Sequence, residues 1–359
     1  MVERLSTSFG LSGTILDWFK SYLSERTCFV VIDSVRSSKC TLLFGVPQES
    51  VLGPVLYTMY TQPLGAIIRK HQIPFHMYAD DTQLYKSVPP AQTAQLIHDI
   101  QTCIEEIKSW MTSNKLKMND DKTEIIPCST VSKINSLDYD HLHMGGERID
   151  FSYTAKNLSV HFDSDLSMDT HIKHLCKALY LELRKLGQLR PFLSVDSAKT
   201  LSSAFILSRL DYCNSTFANL PDDKLDRLQK FQNRAARLVL RKPKREHVAP
   251  MLQELHWLPV KARIEYKLAL ICFSTFHSSC PPYISELVPQ YTPSRSLRSA
   301  SSHLLTIPRT KLKAYGDRAF SYTGPSVWNG LPNMLREITE KNSFKCELKT
   351  YLFKKYLCN

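Results

Sequence analysis

Two adjacent carboxylates, Asp80 and Asp81, stand between two short β-rich runs in the segment FHMYADDTQLYKSV. Two such runs separated by turn residues predict a β-hairpin with the acids at its tip. Ionised neighbours repel each other unless a cation compensates, and Mg²⁺ bound through carboxylates and substrate phosphates is a common compensation. Metal ions held in this way catalyse phosphoryl transfer. A plain surface turn explains an isolated Asp-Asp pair equally well, since aspartate is common in turns.

The elements before and after this hairpin alternate between helix and strand. Helical spacing of apolar residues predicts a helix over 11–24, and apolar β-rich runs at 28–33 and 40–45 predict a second hairpin. Residues 51–71 predict a helix interrupted by its Gly and Pro residues. A strongly amphipathic helix is predicted over 89–114, after which a turn leads into a further strand.

Beyond residue 166 the sequence becomes predominantly helical. A short strand within 155–166 precedes this change. Long helical patterns then cover the segments 168–189, 195–211 and 222–241. Residues 281–335 are rich in Pro, Ser and Thr, which predicts a loop-rich segment, and a short helix is predicted over 343–356.

The distribution of charge separates the two halves of the chain. Of its 359 residues, 46 are Lys or Arg and 34 are Asp or Glu, a net charge of +12. Residues 1–150 carry 14 basic and 17 acidic side chains, whereas residues 151–359 carry 32 basic and 17 acidic ones. An acidic module followed by a basic one fits a catalytic part followed by a part that holds nucleic acid. A basic surface kept for solubility is the alternative.

One helix in the basic half has cations at spacings of three or four residues, which places them on one face. No acidic residue is interleaved after Asp226. A stripe that faces phosphates is therefore at least as good an interpretation as a solvated face. Its members are Arg227, Lys230, Arg234, Arg237 and Arg241.

Composition excludes several other classes of protein. No apolar run is long enough to cross a membrane and the N-terminus is no signal peptide, so we expect an intracellular protein of the nucleus or cytoplasm. The ten dispersed cysteines predict reduced, mostly buried thiols. The segment HIKHLC, at 171–176, resembles a metal cluster but is predicted to be a helix face, because no second ligand pair follows at finger spacing. No phosphate-loop, dinucleotide, zinc-protease or nucleophile-elbow motif occurs.

Several motifs in order resemble one family. GVPQESVLGPVLYTMYTQPLG, YADDTQLY and LKMNDDKTE are similar to consecutive motifs of reverse transcriptases from non-LTR (LINE-type, CR1/L2/Jockey-like) retrotransposons. The resemblance continues through KNLSVHFDSDLSMDTHI, SRLDYCNS, QNRAARLVL and LHWLPVKARIEYKLAL to SVWNGLP, and so covers nearly all of the chain. It implies an RNA-directed DNA polymerase whose partners are an RNA template, a DNA primer and dNTPs, with Mg²⁺ as cofactor.

The resemblance also implies roles for individual residues. Asp80 and Asp81 match the catalytic, metal-binding acids of the polymerase palm, and Lys122 matches a lysine near the nucleotide phosphates. Positions that match contacts to the template or the incoming nucleotide are Gln48, Ser50 and Tyr78.

The sequence departs from the family pattern at three places. The family has a further metal-binding aspartate on a strand before the segment matching VERLSTSFGLSGT, so we expect that ligand and the fingers to be missing here. Asp17 does not replace it, because it lies in a predicted helix. Glu49 stands where the family has the glycine of PQGS, and Ser159 occupies the glycine position of NLGV. The acidic side chain of Glu49 is expected to obstruct an anionic nucleotide.

These observations predict an α+β fold in three parts. Residues 1–165 are expected to form a partial right-hand polymerase palm, with an antiparallel sheet and helices, and residues 166–245 a helical thumb-like region. Residues 246–359 form a helical and loop-rich C-terminal region in this interpretation. The predicted function is a reverse transcriptase fragment of impaired, in this chain negligible, polymerase activity. It is expected to depend on a partner for the missing N-terminal part. A catalytically dead nucleic-acid-binding relic, or a pseudogene product, is the alternative.

Overall fold

Helices and small two-stranded antiparallel sheets make up the chain, as the α+β expectation requires. The computed structural model describes residues 1–46, 50–137, 139–144, 146–277, 279–292 and 303–358. These fall into two compact units. Unit 1 consists of Met1–Ile125 and Leu137–Ser152, and unit 2 consists of Ile126–Ser136 and Tyr153–Asn359. The three-part division at residues 165 and 245 stays a prediction.

Unit 1 contains the N-terminal helices and the acidic hairpin. Its helices are α1 (Val2–Thr7), α2 (Gly13–Leu23), α3 (Gly53–Lys70) and α4 (Thr93–Ser113). Its strands are β1 (Thr27–Cys28), β2 (Val31–Ile32), β3 (Val35–Arg36), β4 (Cys40–Thr41), β5 (Phe75–Tyr78), β6 (Asp81–Leu84), β7 (His141–Met144) and β8 (Glu147–Asp150). The pairs β1–β4, β2–β3, β5–β6 and β7–β8 are antiparallel, and the hairpin predicted at the acidic motif is confirmed. The other predicted hairpin is confirmed only in part, because β3 lies in its predicted turn and pairs with β2, while β1 pairs with β4.

Helix α3 runs without interruption from Gly53 to Lys70, so the predicted break at Gly and Pro is wrong. Pro54 lies in the first turn, where a missing N–H costs nothing. Pro63 lies inside the helix and removes one backbone hydrogen bond. Packing offsets that loss, because residues such as Leu64 and Ile68 bury one face of the helix.

The core of unit 1 joins α3, α4 and the β5–β6 hairpin. Ile68 and Cys103 are fully buried there, and Phe75 of β5 packs against them. Gly65 of α3 allows this approach, because a Cβ added to it would lie 3.2 Å from the ring of Phe75. Helices α3 and α4 therefore pack against one face of the β5–β6 hairpin and hold it in place.

Unit 2 begins with a hairpin and continues almost entirely as helix. Its strands are β9 (Thr154–Asn157) and β10 (Val160–Asp163). Its longer helices are α6 (Asp169–Leu189), α7 (Val195–Ser202), α9 (Asp222–Leu240), α11 (Val260–Phe276), α14 (Phe320–Asn329) and α16 (Lys341–Leu357). Its shorter helices are α5 (Val131–Asn135), α8 (Ser208–Asp211), α10 (Ala249–Glu254), α12 (Pro282–Ser285), α13 (Lys313–Gly316) and α15 (Asn333–Arg336).

The long helical predictions after residue 166 are confirmed. The predicted 195–211 helix contains a π-helical turn at Ser203–Leu207 between α7 and α8. The sequence pattern did not predict this turn, in which the hydrogen bonds span five residues instead of four.

The core of unit 2 consists of two apolar clusters that share α11. Residues of α6, α7, α9 and α10 form the first cluster, to which α11 contributes Leu268. The second contains Phe273 of α11, Trp328 of α14 and Phe344 of α16. The rings of Phe273 and Phe344 are stacked with their centroids 4.5 Å apart. Helix α11 therefore contributes residues to both apolar clusters.

Within the segment 281–335, the described residues 281–292 and 303–335 contain more regular structure than the composition predicts. Its SVWNGLP motif belongs to the second cluster, with Trp328 1% exposed and its Nε1 donating to the carbonyl of His303. The side chain of Asn329 accepts a hydrogen bond from the Leu305 N–H at 2.9 Å and donates to the Leu305 carbonyl at 2.8 Å. An amide that pairs with both backbone groups acts like a neighbouring strand. The motif therefore has a structural role here.

The turn between β9 and β10 contains Ser159, which occupies a glycine position of the family pattern. Asn157 pairs with Val160, so Leu158 and Ser159 form a two-residue turn with positive φ values of 43° and 69°. Positive φ at both central residues is the type I′ arrangement, which favours Asn-Gly. The hydroxyl of Tyr212 donates to the Leu158 carbonyl at 2.6 Å and holds this turn against α8.

Replacing Ser159 by glycine is expected to stabilise unit 2. A left-handed backbone costs about 1–2 kcal/mol for an L-residue, whereas glycine loses about 0.5–1 kcal/mol in chain entropy. The net gain is expected to be about 0.5–1 kcal/mol, measured by denaturant unfolding. Ser159→Ala is the matched control, because it keeps the Cβ and therefore the strain. Equal stability of the Gly and Ala variants would contradict this account.

Two sequence expectations concern the whole chain. All ten cysteines lie among the described residues and are free thiols, as predicted. The expectation that most of them are buried is wrong, because only Cys103 and Cys272 are buried. No helix within the described ranges is both long and apolar enough to cross a membrane.

Candidate functional site

In the register of the acidic hairpin, one of the two aspartates lies in the turn and the other lies in a strand. Phe75 pairs with Leu84 and Tyr78 with Asp81, so Asp81 is the first residue of β6. The two turn residues are Ala79 and Asp80, and Ala79 has a positive φ of 52°. The aspartates therefore lie at the tip, as expected, but only Asp80 is a turn residue.

The two faces of this hairpin differ in burial. Phe75 and Met77 are partly buried against the core of unit 1, whereas Tyr78 is 66% exposed. Asp80 and Asp81 are also exposed. A buried face thus holds the hairpin while its acidic tip meets solvent.

Tyr57 of α3 lies within electrostatic reach of Asp80. Burial raises the pKa of the Tyr57 hydroxyl, and the Asp80 carboxylate raises it further. The sequence patterns did not identify Tyr57 as a site residue. It lies one helix away from the acidic motif in sequence, and only the α3–hairpin packing brings the two together.

No cation compensates the paired carboxylates within the described ranges. Neither Asp80 nor Asp81 has an ion pair there. No group of three or more His, Cys, Asp or Glu side chains in this part of the chain could hold a metal ion. Mg²⁺ commonly uses only one or two carboxylates together with substrate phosphates. The pair is therefore a suitable partial ligand set for Mg²⁺.

The other positions implied by the family resemblance are only partly described. Gln48 lies outside the described residues. The Ser50 hydroxyl accepts a hydrogen bond from the N–H of Gly53, the first residue of α3, at 3.0 Å. Ser50 therefore supports the start of the helix that packs beneath the hairpin.

Lys122 belongs to a short 3₁₀ helix, Asp120–Lys122, and is exposed. Asp120 anchors this turn to α4 through an ion pair of 2.9 Å with Lys108. Lys108 also donates to the carbonyl of Met144 at 3.3 Å. The turn that bears Lys122 is thus attached to the same helix that supports the hairpin core.

The basic stripe on α9 divides into two groups. Arg227, Lys230 and Arg234 are exposed on the helix surface. The guanidinium of Arg234 lies 5.7 Å from the ring centroid of Phe231, one turn before it. Arg227 also hydrogen-bonds the thiol of Cys176, whose pKa is raised by burial and lowered by this arginine.

The last two arginines of the stripe contact their own chain. Arg237 donates to the carbonyl of Glu246 at 3.2 Å, and its Nε is buried. Arg241 ends α9 in a left-handed conformation and donates to the carbonyls of Arg190 and Pro191. These side chains therefore complete the packing around the end of α9.

The histidines of HIKHLC lie on a helix, as predicted. His171 is 7% exposed and its ring faces that of Phe217, 5.6 Å away. The rings of His161 and His174 stack 4.3 Å apart. Burial lowers the pKa of His171, and His161 and His174 lower it further, while Asp163 opposes the shift. The cluster favours a neutral imidazole at His171.

Acidification is expected to destabilise unit 2 through His171. Its pKa is lower in the folded than in the unfolded state, so the unfolded chain binds more protons and stability falls as the pH decreases through the unfolded-state value near 6.5. Thermal unfolding between pH 7.5 and 5 is expected to show a larger loss of Tm for the wild type than for His171→Phe. An equal loss in both proteins would exclude this residue as the cause. His98→Phe, at an exposed histidine, is the control.

Comparison with known proteins gives the class of this chain. Residues 3–159 match the reverse transcriptase (RNA-dependent DNA polymerase) family. The chain is 28% identical over 231 residues to the probable RNA-directed DNA polymerase from transposon BS of Drosophila melanogaster, covering 61% of this chain and 25% of that relative. It is 26% identical over 179 residues to the RNA-directed DNA polymerase from mobile element jockey of Drosophila melanogaster, covering 47% and 18%.

A third relative gives the same result. The probable RNA-directed DNA polymerase from transposon X-element of Drosophila melanogaster is 26% identical over 228 residues, which cover 61% of this chain and 24% of that relative. The chain therefore spans about a quarter of the length of the curated relatives it matches. Residues 3–159, which include the acidic hairpin, are a reverse transcriptase domain. This domain match, together with the similarity to these transposon RNA-directed DNA polymerases, supports a LINE-type reverse transcriptase.

Proposed function

We propose that this chain contributes part of an RNA-directed DNA polymerase active site, with Asp80 and Asp81 as its metal-binding acids. The observation that carries the proposal is the exposed acidic tip of a firmly packed hairpin within the domain that matches the reverse transcriptase family. An RNA template, a DNA primer and dNTPs are the substrates that this function requires.

Asp80 and Asp81 would hold Mg²⁺ at the hairpin tip. When bound, such ions neutralise developing charge on the transferring phosphate. The protein's own contribution is positioning, because the β5–β6 ladder and the α3–α4 core fix the two carboxylates before any substrate arrives. We assign Tyr78, Ser50 and Gln48 to the surroundings of the nucleotide and template, and Lys122 to the nucleotide phosphates.

The proposed architecture follows the right-hand arrangement of polymerases. Residues 1–165 act as a partial palm, 166–245 as a thumb-like region and 246–359 as a C-terminal region. The helical character and the net positive charge of the second half support this division. The exposed stripe residues Arg227, Lys230 and Arg234 would contact nucleic-acid backbone. An intracellular location, in the nucleus or cytoplasm, stays a prediction.

We further propose that this chain turns over slowly and depends on additional protein. Glu49 places a negative side chain where the family has glycine. Apolar side chains between α2 and α3 are also strongly exposed, with Val35 at 72% and Leu43 at 76%. Contact with another protein surface is one of the roles that large exposed apolar patches have.

Primer extension on an RNA template, with Mg²⁺ or Mn²⁺, tests the polymerase proposal. Extension that requires Asp80 and Asp81 would support it. The second candidate function is nucleic-acid binding without synthesis, which the exposed cations of α9 favour. Salt-sensitive binding of the same template without any extension would select that alternative.

A further inference from the structure

A pair of histidines on β7 forms a second candidate site that the proposed polymerase function does not use. His141 and His143 lie two residues apart on one face of the strand. Their Nε2 atoms are 3.1 Å apart, and the rings meet edge to face at 89°. The intervening Leu142 and the following Met144 are 3% and 0% exposed. The strand is therefore held by its buried face, and the imidazole pair lies on the outer face.

The backbone of β7, which bears His141 and His143, is hydrogen-bonded on both sides. Strand β8 pairs with β7 along its whole length. On the other side, α4 contributes hydrogen bonds from Gln101 to the His143 carbonyl and from Lys108 to the Met144 carbonyl, both at 3.3 Å. A site built on such a paired strand keeps its geometry better than one on a loop.

A carboxylate orients one of the two rings. The Nδ1 of His141 lies 2.6 Å from the Oδ1 of Asp140. When Nδ1 carries the proton and donates to this carboxylate, the Nε2 of His141 carries a lone pair, which accepts a hydrogen bond from His143 in this structure and can bind a cation in its place. Histidines that bind metals commonly donate their other ring N–H to a carboxylate in this way.

The charges around the pair also favour a cation. Two nearby cations are already paired: Arg148 with Asp150 at 2.6 Å and Asp140 at 3.0 Å, and Lys108 with Asp120 at 2.9 Å. Two carboxylates against one guanidinium leave this part of the surface with a net negative charge. The arginine therefore does not make the site cationic.

We propose that His141 and His143 bind a divalent transition-metal ion, such as Zn²⁺, through their Nε2 atoms, with Asp140 as a positioning residue. Two nitrogens bound at 2.0–2.1 Å to a tetrahedral ion lie about 3.3–3.4 Å apart. The observed separation of 3.1 Å is within a few tenths of an ångström of this value. Water completes the coordination, because the pair supplies two protein ligands. Cu²⁺ binds most tightly among such ions.

Titration of the full chain with Cu²⁺ after alkylation of its free thiols, which would otherwise reduce the ion, followed by electron paramagnetic resonance, tests the proposal. The wild type is expected to show one site with coupling to two nitrogens, in the presence of excess Mg²⁺ to occupy the Asp80–Asp81 pair. His141→Ala and His143→Ala are each expected to weaken this site more than tenfold and to remove the two-nitrogen signal. Asp140→Asn is expected to weaken it about tenfold, the usual lower range for loss of such a partner.

His98→Ala, at an exposed histidine of α4 in the same unit, is the matched control and is expected to bind like the wild type. Circular dichroism verifies that each variant is folded. An unchanged two-nitrogen site in His141→Ala and His143→Ala would overturn the metal site. Wild-type affinity of Asp140→Asn would overturn the positioning role of that carboxylate. Neither result bears on the polymerase proposal, because the readout is metal binding away from the acidic hairpin.

Discussion

Primer extension by this chain is expected to fall to background when Asp80 and Asp81 are replaced together by asparagine. Removing one preorganised group that stabilises developing charge costs roughly 10²–10³ in rate, so losing both carboxylates is expected to cost about 10³ or more. The asparagines keep the size of the side chains and the hairpin turn, while the charge that attracts Mg²⁺ disappears. The measurement is incorporation of dNTPs on an RNA template, with long incubations and Mn²⁺ beside Mg²⁺, because turnover is proposed to be slow.

Asp17→Asn provides a control in the same unit. Asp17 is an exposed aspartate of α2, and its ion pair with Lys20 on the surface contributes little to stability. This variant is expected to extend primers at the wild-type rate. Extension that persists in the double variant would show that the acidic hairpin is not the metal site of this chain.

Local pattern was sufficient for most of the elements that position the hairpin. Alternating apolar residues predicted β5 and β6, because a strand with one buried face repeats every second residue. Helical spacing predicted α4, α6 and α9 for the equivalent reason at 3.6 residues per turn. The motif YADD was placed at the hairpin tip from the same information. Its register was not, since it depends on whether the turn contains two residues or three.

Contacts between distant segments could not be predicted from the sequence. The proximity of Tyr57 to Asp80 results from the packing of α3 under the hairpin. The continuity of α3 was also not predicted, because it depends on packing within the folded unit. Pro63 is a local signal for a break, whereas the burial of the helix that overrides it is a property of the folded unit.

Several family motifs after residue 166 have a structural basis that spacing does not reveal. Gln229 accepts a hydrogen bond from the N–H of Val260, the first residue of α11, at 2.8 Å. Gln232 is completely buried and donates to the carbonyl of Leu258 at 2.8 Å. The motif on α9 and the LHWLP segment therefore hold each other in place. A polar residue is retained in this core because it satisfies a backbone group that would otherwise be unpaired.

Contacts to backbone carbonyls also divide the basic stripe of α9 into two groups, although its five cations are equivalent in the sequence. Arg237 and Arg241 donate to backbone carbonyls of unit 2, so substituting them is expected to lower stability. Arg227, Lys230 and Arg234 are exposed, so substituting them is expected to affect nucleic-acid binding. Stability and binding measurements on the two groups therefore separate structure from function.

The triple substitution Arg227→Gln, Lys230→Gln and Arg234→Gln is expected to weaken template–primer binding and its dependence on salt. Each lost phosphate contact removes about 0.7–0.9 from the slope of log K against log salt concentration. Loss of the three contacts is therefore expected to make that slope shallower by about 2–3. Fluorescence anisotropy of a labelled RNA–DNA duplex between 50 and 200 mM salt measures both the affinity and the slope.

A charge-matched control separates this stripe from the net charge of the chain. Lys133, Lys311 and Lys341 are exposed lysines of unit 2 that lie in three separate segments. Their triple replacement by glutamine removes the same charge but no common face, so most of the slope is expected to remain. An equal loss in both triple variants would mean that the affinity arises from overall charge. A selective loss in the α9 variant would mean that one helix face follows the nucleic-acid backbone, because only spatially aligned cations can contact consecutive phosphates.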